Sequence, residues 1–221
     1  MTMFDWDTID TVLLDMDGTL LDLHYDNYFW ADHLPRRYAE LKQLPLDDAQ
    51  QQLEQHIRSL EGTLNWYCLD YWSSALEVDI GELKSEIKHK IKERPYTHEF
   101  LTFLKQTQKT VALVTNAHPI GLDIKLEQTQ IGDYLDHIIS SHQFQQPKEE
   151  QGFWHQLQAH LPFDPARTLF IDDNAAVLTA GRDYGIAYTL GIHQPDSQIQ
   201  RRLEHNLAIE HFNEIIPATH G

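Results

Sequence analysis

The 221-residue chain holds a single cysteine, Cys68. An intramolecular disulfide and a metal site made of cysteines alone are therefore both excluded, and a lone thiol fits a reducing compartment. Basic side chains are also scarce. Seventeen Lys+Arg face 34 Asp+Glu, a formal charge of −17 with histidine neutral, which argues against a nucleic-acid backbone or an anionic membrane surface as partner. The first basic residue is Arg36, so the N-terminus has no basic n-region of a signal peptide. Long apolar runs are missing as well. Val12-Leu13-Leu14 and Val111-Ala112-Leu113-Val114 are typical, far short of the ~20 residues a membrane helix needs. A soluble, cytoplasmic protein is expected. Fourteen histidines occur without HExxH or finger spacing, and for most of them a solvated or ordinary structural place is expected.

Core-forming residues are present in quantity: 41% of the chain is hydrophobic, with five Trp, nine Tyr and nine Phe. Five short apolar runs rich in β-branched residues have strand length: Thr11–Asp15, Thr110–Thr115, His137–Ser140, Thr168–Asp172 and Ile186–Leu190. Each reads as apolar on both faces, as buried parallel strands are. Helical periodicity falls between the later ones, over Thr97–Gln106, Glu149–Leu161 and Ala175–Tyr184. This alternation predicts an α/β protein with a parallel sheet covered by helices on both faces. The stretch from Asp22 to Arg94 breaks the rhythm. It has amphipathic segments but no strand pattern, and reads as an inserted, mainly helical domain that returns at Arg94-Pro95.

Ligands of open parallel sheets bind at the carboxyl ends of the strands, where this chain concentrates its acids. The first strand runs into Asp15-Met16-Asp17-Gly18-Thr19 and the fourth into Asp172-Asp173. Converging these carboxylates without a cation costs several kcal/mol; a hard divalent ion with oxygen ligands, best Mg²⁺, offsets it. The second strand ends at Thr115-Asn116, offering a hydroxyl and loop amides to an anion. Lys148, in Gln146-Pro147-Lys148-Glu149, opens the helical stretch after the third strand. Each feature alone has an ordinary structural explanation. In this order they compose a phosphate site with a nucleophile, an acid/base, anion binders and a metal clamp. A response-regulator receiver gathers similar residues, but there the acidic pair comes first in the chain; here it comes last.

The segment Val12-Leu13-Leu14-Asp15-Met16-Asp17-Gly18-Thr19-Leu20 resembles the first motif of the haloacid dehalogenase (HAD) superfamily of phosphohydrolases. Thr115, Lys148 and Asp172-Asp173 match its second, third and fourth motifs in order. The resemblance implies a Rossmann-like parallel-sheet core over residues 1–21 and 95–221, with a helical cap of type C1 over 22–94. It further implies that Asp15 is the nucleophile, Asp17 the acid/base, and Thr115, Asn116 and Lys148 the phosphate binders. Mg²⁺ would be held by the Asp15 carboxylate, the Asp17 backbone carbonyl and Asp172, with Asp173 in support. More narrowly, DNYFW, TLNWYCLDYW and TNAH resemble bacterial HAD 5′-nucleotidases acting on GMP and IMP. The expected function is Mg-dependent phosphomonoester hydrolysis through an aspartyl phosphate, with a purine nucleoside monophosphate as substrate. Another small-metabolite phosphatase, a phosphomutase, or a regulatory binding protein on the same scaffold are the alternatives.

Substrate choice is expected to lie in the cap. In Asn65-Trp66-Tyr67-Cys68-Leu69-Asp70-Tyr71-Trp72, neighbouring aromatics on one helix differ by about 100°, so they cannot all face one core. Trp66 and Tyr67 are the expected base-stacking residues, and Asn65 or Asp70 the expected readers of a purine edge.

Overall fold

The computed structural model describes residues 3–204 and 207–217. Six strands form one sheet: β1 (Thr11–Leu14), β2 (Thr110–Thr115), β3 (His137–Ser140), β4 (Thr168–Asp172), β5 (Tyr188–Ile192) and β6 (Ala208–Ile209). Their order is β3-β2-β1-β4-β5-β6, and every pairing is parallel. This is the Rossmann-like parallel α/β sheet that the sequence led one to expect. The chain steps outward from β1 to β3 on one side, then crosses back to lay β4 on the other. The carboxyl end of β1 is therefore the topological switch point, where open α/β sheets form their crevice.

Alternation along the strands divides the core. Val12, Leu14, Val111, Leu113, Leu169 and Ile171 join Phe100, Leu101 and Leu104 in one apolar layer. Leu13, Ala112, Val114 and Phe170 point the other way, to Phe153, Trp154, Leu157, Val177 and Leu178. Burying both faces is what makes these strands continuous apolar runs rather than alternating ones.

The ten α-helices among the described residues are α1 (His24–Tyr28), α2 (Leu34–Lys42), α3 (Leu46–Leu60), α4 (Leu64–Tyr67), α5 (Leu69–Leu76), α6 (Ile80–Glu86), α7 (Thr97–Lys105), α8 (Pro119–Thr129), α9 (Gln151–His160) and α10 (Ala175–Tyr184). None is long and apolar enough to cross a membrane. The first six lie between β1 and α7 and leave the sheet at one place. The Asp22 N–H donates to the Lys92 carbonyl (2.8 Å) and the Arg94 N–H to that of Leu20 (2.9 Å). Arg94, itself buried, ties this junction to the carbonyls of Gln194 and, at 2.9 Å, Glu210.

Three local details differ from the sequence reading. The fifth strand begins at Tyr188 rather than Ile186. Ile186 instead donates its N–H to Gly181 (3.1 Å), closing α10 over Gly185 at φ +112°. The third strand is an edge, so His137 and Ile138 are exposed. The two-residue β6 has no sequence run behind it.

Gly18 makes the turn beyond β1 possible. Its φ is +89°, and a Cβ there would come within 2.8 Å of Asp173 Cγ and 2.9 Å of Pro195 Cβ. The turn is closed by the Gly18 N–H on Leu21 O (2.8 Å) and the Leu21 N–H on Met16 O (2.9 Å). Gly18→Ala is expected to lose about 1–2 kcal/mol from the left-handed backbone alone, lowering Tm by roughly 2–8 °C in a calorimetric scan. A Tm equal to wild type would refute this role.

Candidate active site

The carboxyl ends of β1, β2 and β4 meet at one ammonium. Lys148 Nζ donates to Asp15 Oδ1 (2.6 Å), Asp172 Oδ2 (2.7 Å) and the Val114 carbonyl (3.1 Å). The lysine is only 2% exposed. It stands in the turn before α9 rather than inside a helix. Its own N–H donates to Asn116 Oδ1 (2.9 Å), and its carbonyl accepts from Trp154 Nε1 (2.9 Å). Burial opposes the charge on Lys148, but the two carboxylates outweigh it and hold the side chain protonated. Burial also pushes Asp15 and Asp172 up to about 6 against the pull of Lys148. For Asp173, burial and the nearby Asp15 charge raise it to about 7.

Asp15, Asp172 and Asp173 each offer a carboxylate oxygen within 4.8 Å of the others. Three acids face Lys148 and the Arg201 guanidinium, which is 3.4 Å from Asp173 Oδ2. Hard oxygen donors carrying surplus negative charge fit a divalent cation. The Asp17 carboxylate is not in this set. It lies past the strand end, and Oδ1 accepts from Lys125 Nζ at 2.6 Å. Burial lifts Asp17 to about 6 even so. Lys125 also reaches Asp26 Oδ2 (2.7 Å), and Asp26 Oδ1 accepts from Lys84 Nζ (2.8 Å). Burial works against the Asp26 carboxylate, yet the two ammoniums prevail and hold it well below the usual range. Lys84, whose Nζ sits 4.4 Å over the Phe29 ring, is lowered by burial.

Thr115 is buried, and its Oγ1 accepts the Ala117 N–H at 3.0 Å. Asn116 Nδ2 donates to Glu149 Oε2 and Tyr67 OH to Glu149 Oε1, both at 2.9 Å. Glu149 thus joins the β2 loop to the helical segment. A cavity of about 380 Å³ opens at these groups, lined also by Trp30, Trp66 and Tyr67. The Trp66 and Tyr67 rings lie 5.0 Å apart.

The pairs Trp66/Tyr67 and Tyr71/Trp72 lie on separate helices, because the chain bends at Cys68 (φ −84°, ψ 106°) between α4 and α5. Trp72 is fully buried, with Nε1 on the Trp66 carbonyl (3.0 Å). Asn65 and Asp70 are exposed and do not line the cavity. Its polar lining above the acids is Asp26, Asn27, Lys84 and Lys125 instead. Sequence reasoning missed these. A buried lysine in α8, in line with Leu122 three residues earlier, was the available signal.

A model of the haloacid dehalogenase-like hydrolases matches residues 9–185. The chain belongs to that family. It is an enzyme, and a phosphatase: GMP/IMP nucleotidase YrfG of Escherichia coli K12 is 41% identical over 214 residues, 96% of each chain. The Shigella flexneri protein of the same name is equally similar. Among solved structures, a HAD phosphatase from Thermococcus onnurineus superposes with a TM-score of 0.79 at 19% identity, covering 94% of this chain and 96% of its own. The L-2-haloacid dehalogenase of Xanthobacter autotrophicus reaches 0.56 at 16%, covering 86% and 80%. Both share the fold of this HAD hydrolase.

Removing the central cation leaves Asp15 and Asp172 buried and unneutralised. Lys148→Met is expected to destabilise the chelated enzyme by about 3–5 kcal/mol. Added Mg²⁺ should raise the variant's Tm by more than it raises that of wild type, because the ion then relieves a larger repulsion. Equal thermal stability of variant and wild type in chelator would contradict this account.

Proposed function

We propose that the enzyme hydrolyses purine nucleoside 5′-monophosphates through an aspartyl phosphate, with Mg²⁺ as its ion. The observation that carries the reading is that Asp15, Thr115, Lys148 and the Asp172-Asp173 pair line one cavity together with Trp30, Trp66 and Tyr67. The likeness to a GMP/IMP nucleotidase over 96% of both chains supports the substrate class.

In this reading Asp15 attacks phosphorus in line and the ester oxygen leaves. Asp17 gives that oxygen a proton, then takes one from the water that cleaves the acyl phosphate. A carboxyl raised to about 6 suits both tasks near neutrality. Lys148, Thr115 and N–H groups of the loop that begins at Asn116 bind the phosphoryl oxygens. Asp15, Asp172, Asp173 and the Asp17 carbonyl would hold Mg²⁺, which when bound offsets the charge spread over those oxygens. Residues 22–94 act as a cap over a core formed by 1–21 and 95–221, and Trp66 and Tyr67 stack on the base.

Asp15→Asn is expected to fold, by circular dichroism, yet release no phosphate from GMP, because a carboxamide is nearly isosteric and a poor nucleophile. Activity above about 10% of wild type would remove Asp15 from that role, since losing a covalent catalyst costs orders of magnitude.

The cap is tested separately by kcat/KM on GMP, IMP, CMP, a sugar phosphate and p-nitrophenyl phosphate. Trp66→Ala should lose about 10- to 100-fold on the purine nucleotides, as expected for a stacking contact of ~1–3 kcal/mol, and keep p-nitrophenyl phosphate turnover. Uniform loss on all five with a lowered Tm would return the ring to a packing role. A wild-type preference for the sugar phosphate would overturn the nucleotide reading while leaving the hydrolytic chemistry intact.

A further inference from the structure

The only thiol of the chain stands beside two imidazoles. Cys68 lies at the bend between α4 and α5, His118 caps the N-terminus of α8 after β2, and His142 follows β3. One donor atom from each falls within 4.8 Å of the other two. The histidine rings are 4.9 Å apart and nearly perpendicular, at 83°. His142 Nε2 is buried and has no hydrogen-bond partner among the described residues. A buried nitrogen without a partner is costly, and here it belongs to the commonest of metal ligands. Asp70 Oδ2 lies 3.4 Å from His118 Nε2, in the place of a carboxylate that orients a metal-bound imidazole; the ligand atom is then Nδ1, which exchanges its 3.4 Å contact with the Ile120 N–H for the ion.

We propose that Cys68, His118 and His142 form a second metal site, for Zn²⁺ or a similar borderline-soft ion, separate from the carboxylate cluster. The donors decide the metal. One thiolate and two imidazoles select Zn²⁺ over Mg²⁺, just as the all-oxygen set of Asp15, Asp172 and Asp173 selects the reverse. Tetrahedral bonds of about 2.0 Å to nitrogen and 2.3 Å to sulfur space the donors roughly 3.4–3.6 Å apart, so side-chain rotations of about 1 Å close the set. Binding releases the Cys68 thiol proton to the buffer. The ligands come from two parts of the chain: Cys68 from the helical segment, the histidines from loops at the strand ends. An ion there clamps the one to the other next to Ala117 and His118, both of which line the cavity.

The test titrates untagged, chelator-stripped, reduced protein with Co²⁺ and Zn²⁺ in excess Mg²⁺. Wild type should take one equivalent of Co²⁺ and show tetrahedral d–d bands with a thiolate-to-cobalt charge-transfer band. Cys68→Ser should lose that band and bind Zn²⁺ about tenfold or more weakly. The serine hydroxyl still accepts the Tyr71 N–H that Cys68 Sγ accepts now, so its Tm in chelator should match wild type. His142→Gln should weaken Zn²⁺ similarly while keeping the thiolate band. Asp15→Asn should leave both readouts unchanged, placing the ion away from the acid cluster. No thiolate band in wild type, or Zn²⁺ affinity within about twofold of wild type in both ligand variants, would overturn the site.

Discussion

A buried ammonium, that of Lys148, decides how three strand ends can coexist. Leu14 is registered on Ile171, so the next residues on β1 and β4, Asp15 and Asp172, are forced side by side. The register is fixed by apolar packing on both sheet faces, where a one-residue slip would send every core side chain to the opposite, differently shaped layer. The repulsion between the acids therefore cannot be relieved by sliding the strands. It is relieved by a lysine delivered from beyond β3, whose third donor contact, on the Val114 carbonyl, ties β2 into the same point. The placement of Lys148 depends in turn on Asn116 and Trp154. The fold and the site share these bonds, and neither is built without the other.

A second run of alternating charge carries this order outward. Asp17, Lys125, Asp26 and Lys84 follow one another at 2.6–2.8 Å. Two of the four, Asp26 in α1 and Lys84 in α6, belong to the helical segment. Removing any one member strands a neighbour in a dry environment, which is costlier than never having had the pair. Asp17 thereby has its carboxylate position set partly by residues of that segment, although it sits on the core side.

Much of this was legible in the residues. Three of the five strands anticipated, over Thr110–Thr115, His137–Ser140 and Thr168–Asp172, have those same bounds, because buried parallel strands announce themselves as apolar runs. The four groups meeting at the carboxyl ends were also legible, since strand order in the chain fixes which ends converge. Long-range pairing was not. Lys125 to Asp26 and Tyr67 to Glu149 span 99 and 82 residues, and no periodicity encodes such a contact. The bend at Cys68 was hidden for another reason. Helical spacing continues across it, while the break is made by a single extended residue capping α5 through its sulfur.

The cavity also answers a difficulty posed by the composition. A chain carrying −17 repels an anionic phosphate ester at long range, so the site must reverse the local sign. Among its lining residues, five acids (Asp15, Asp17, Asp26, Asp172, Asp173) face four cations (Lys84, Lys125, Lys148, Arg201). By protein charges alone the cavity remains negative by one, with all five acids ionised. A divalent ion on the carboxylate cluster makes it positive by one. An ion held there would favour the entry of an anionic phosphate ester as well as offset charge on its phosphoryl oxygens. Nearly a quarter of the chain's 17 basic residues are spent holding the acids close enough together for that reversal to occur.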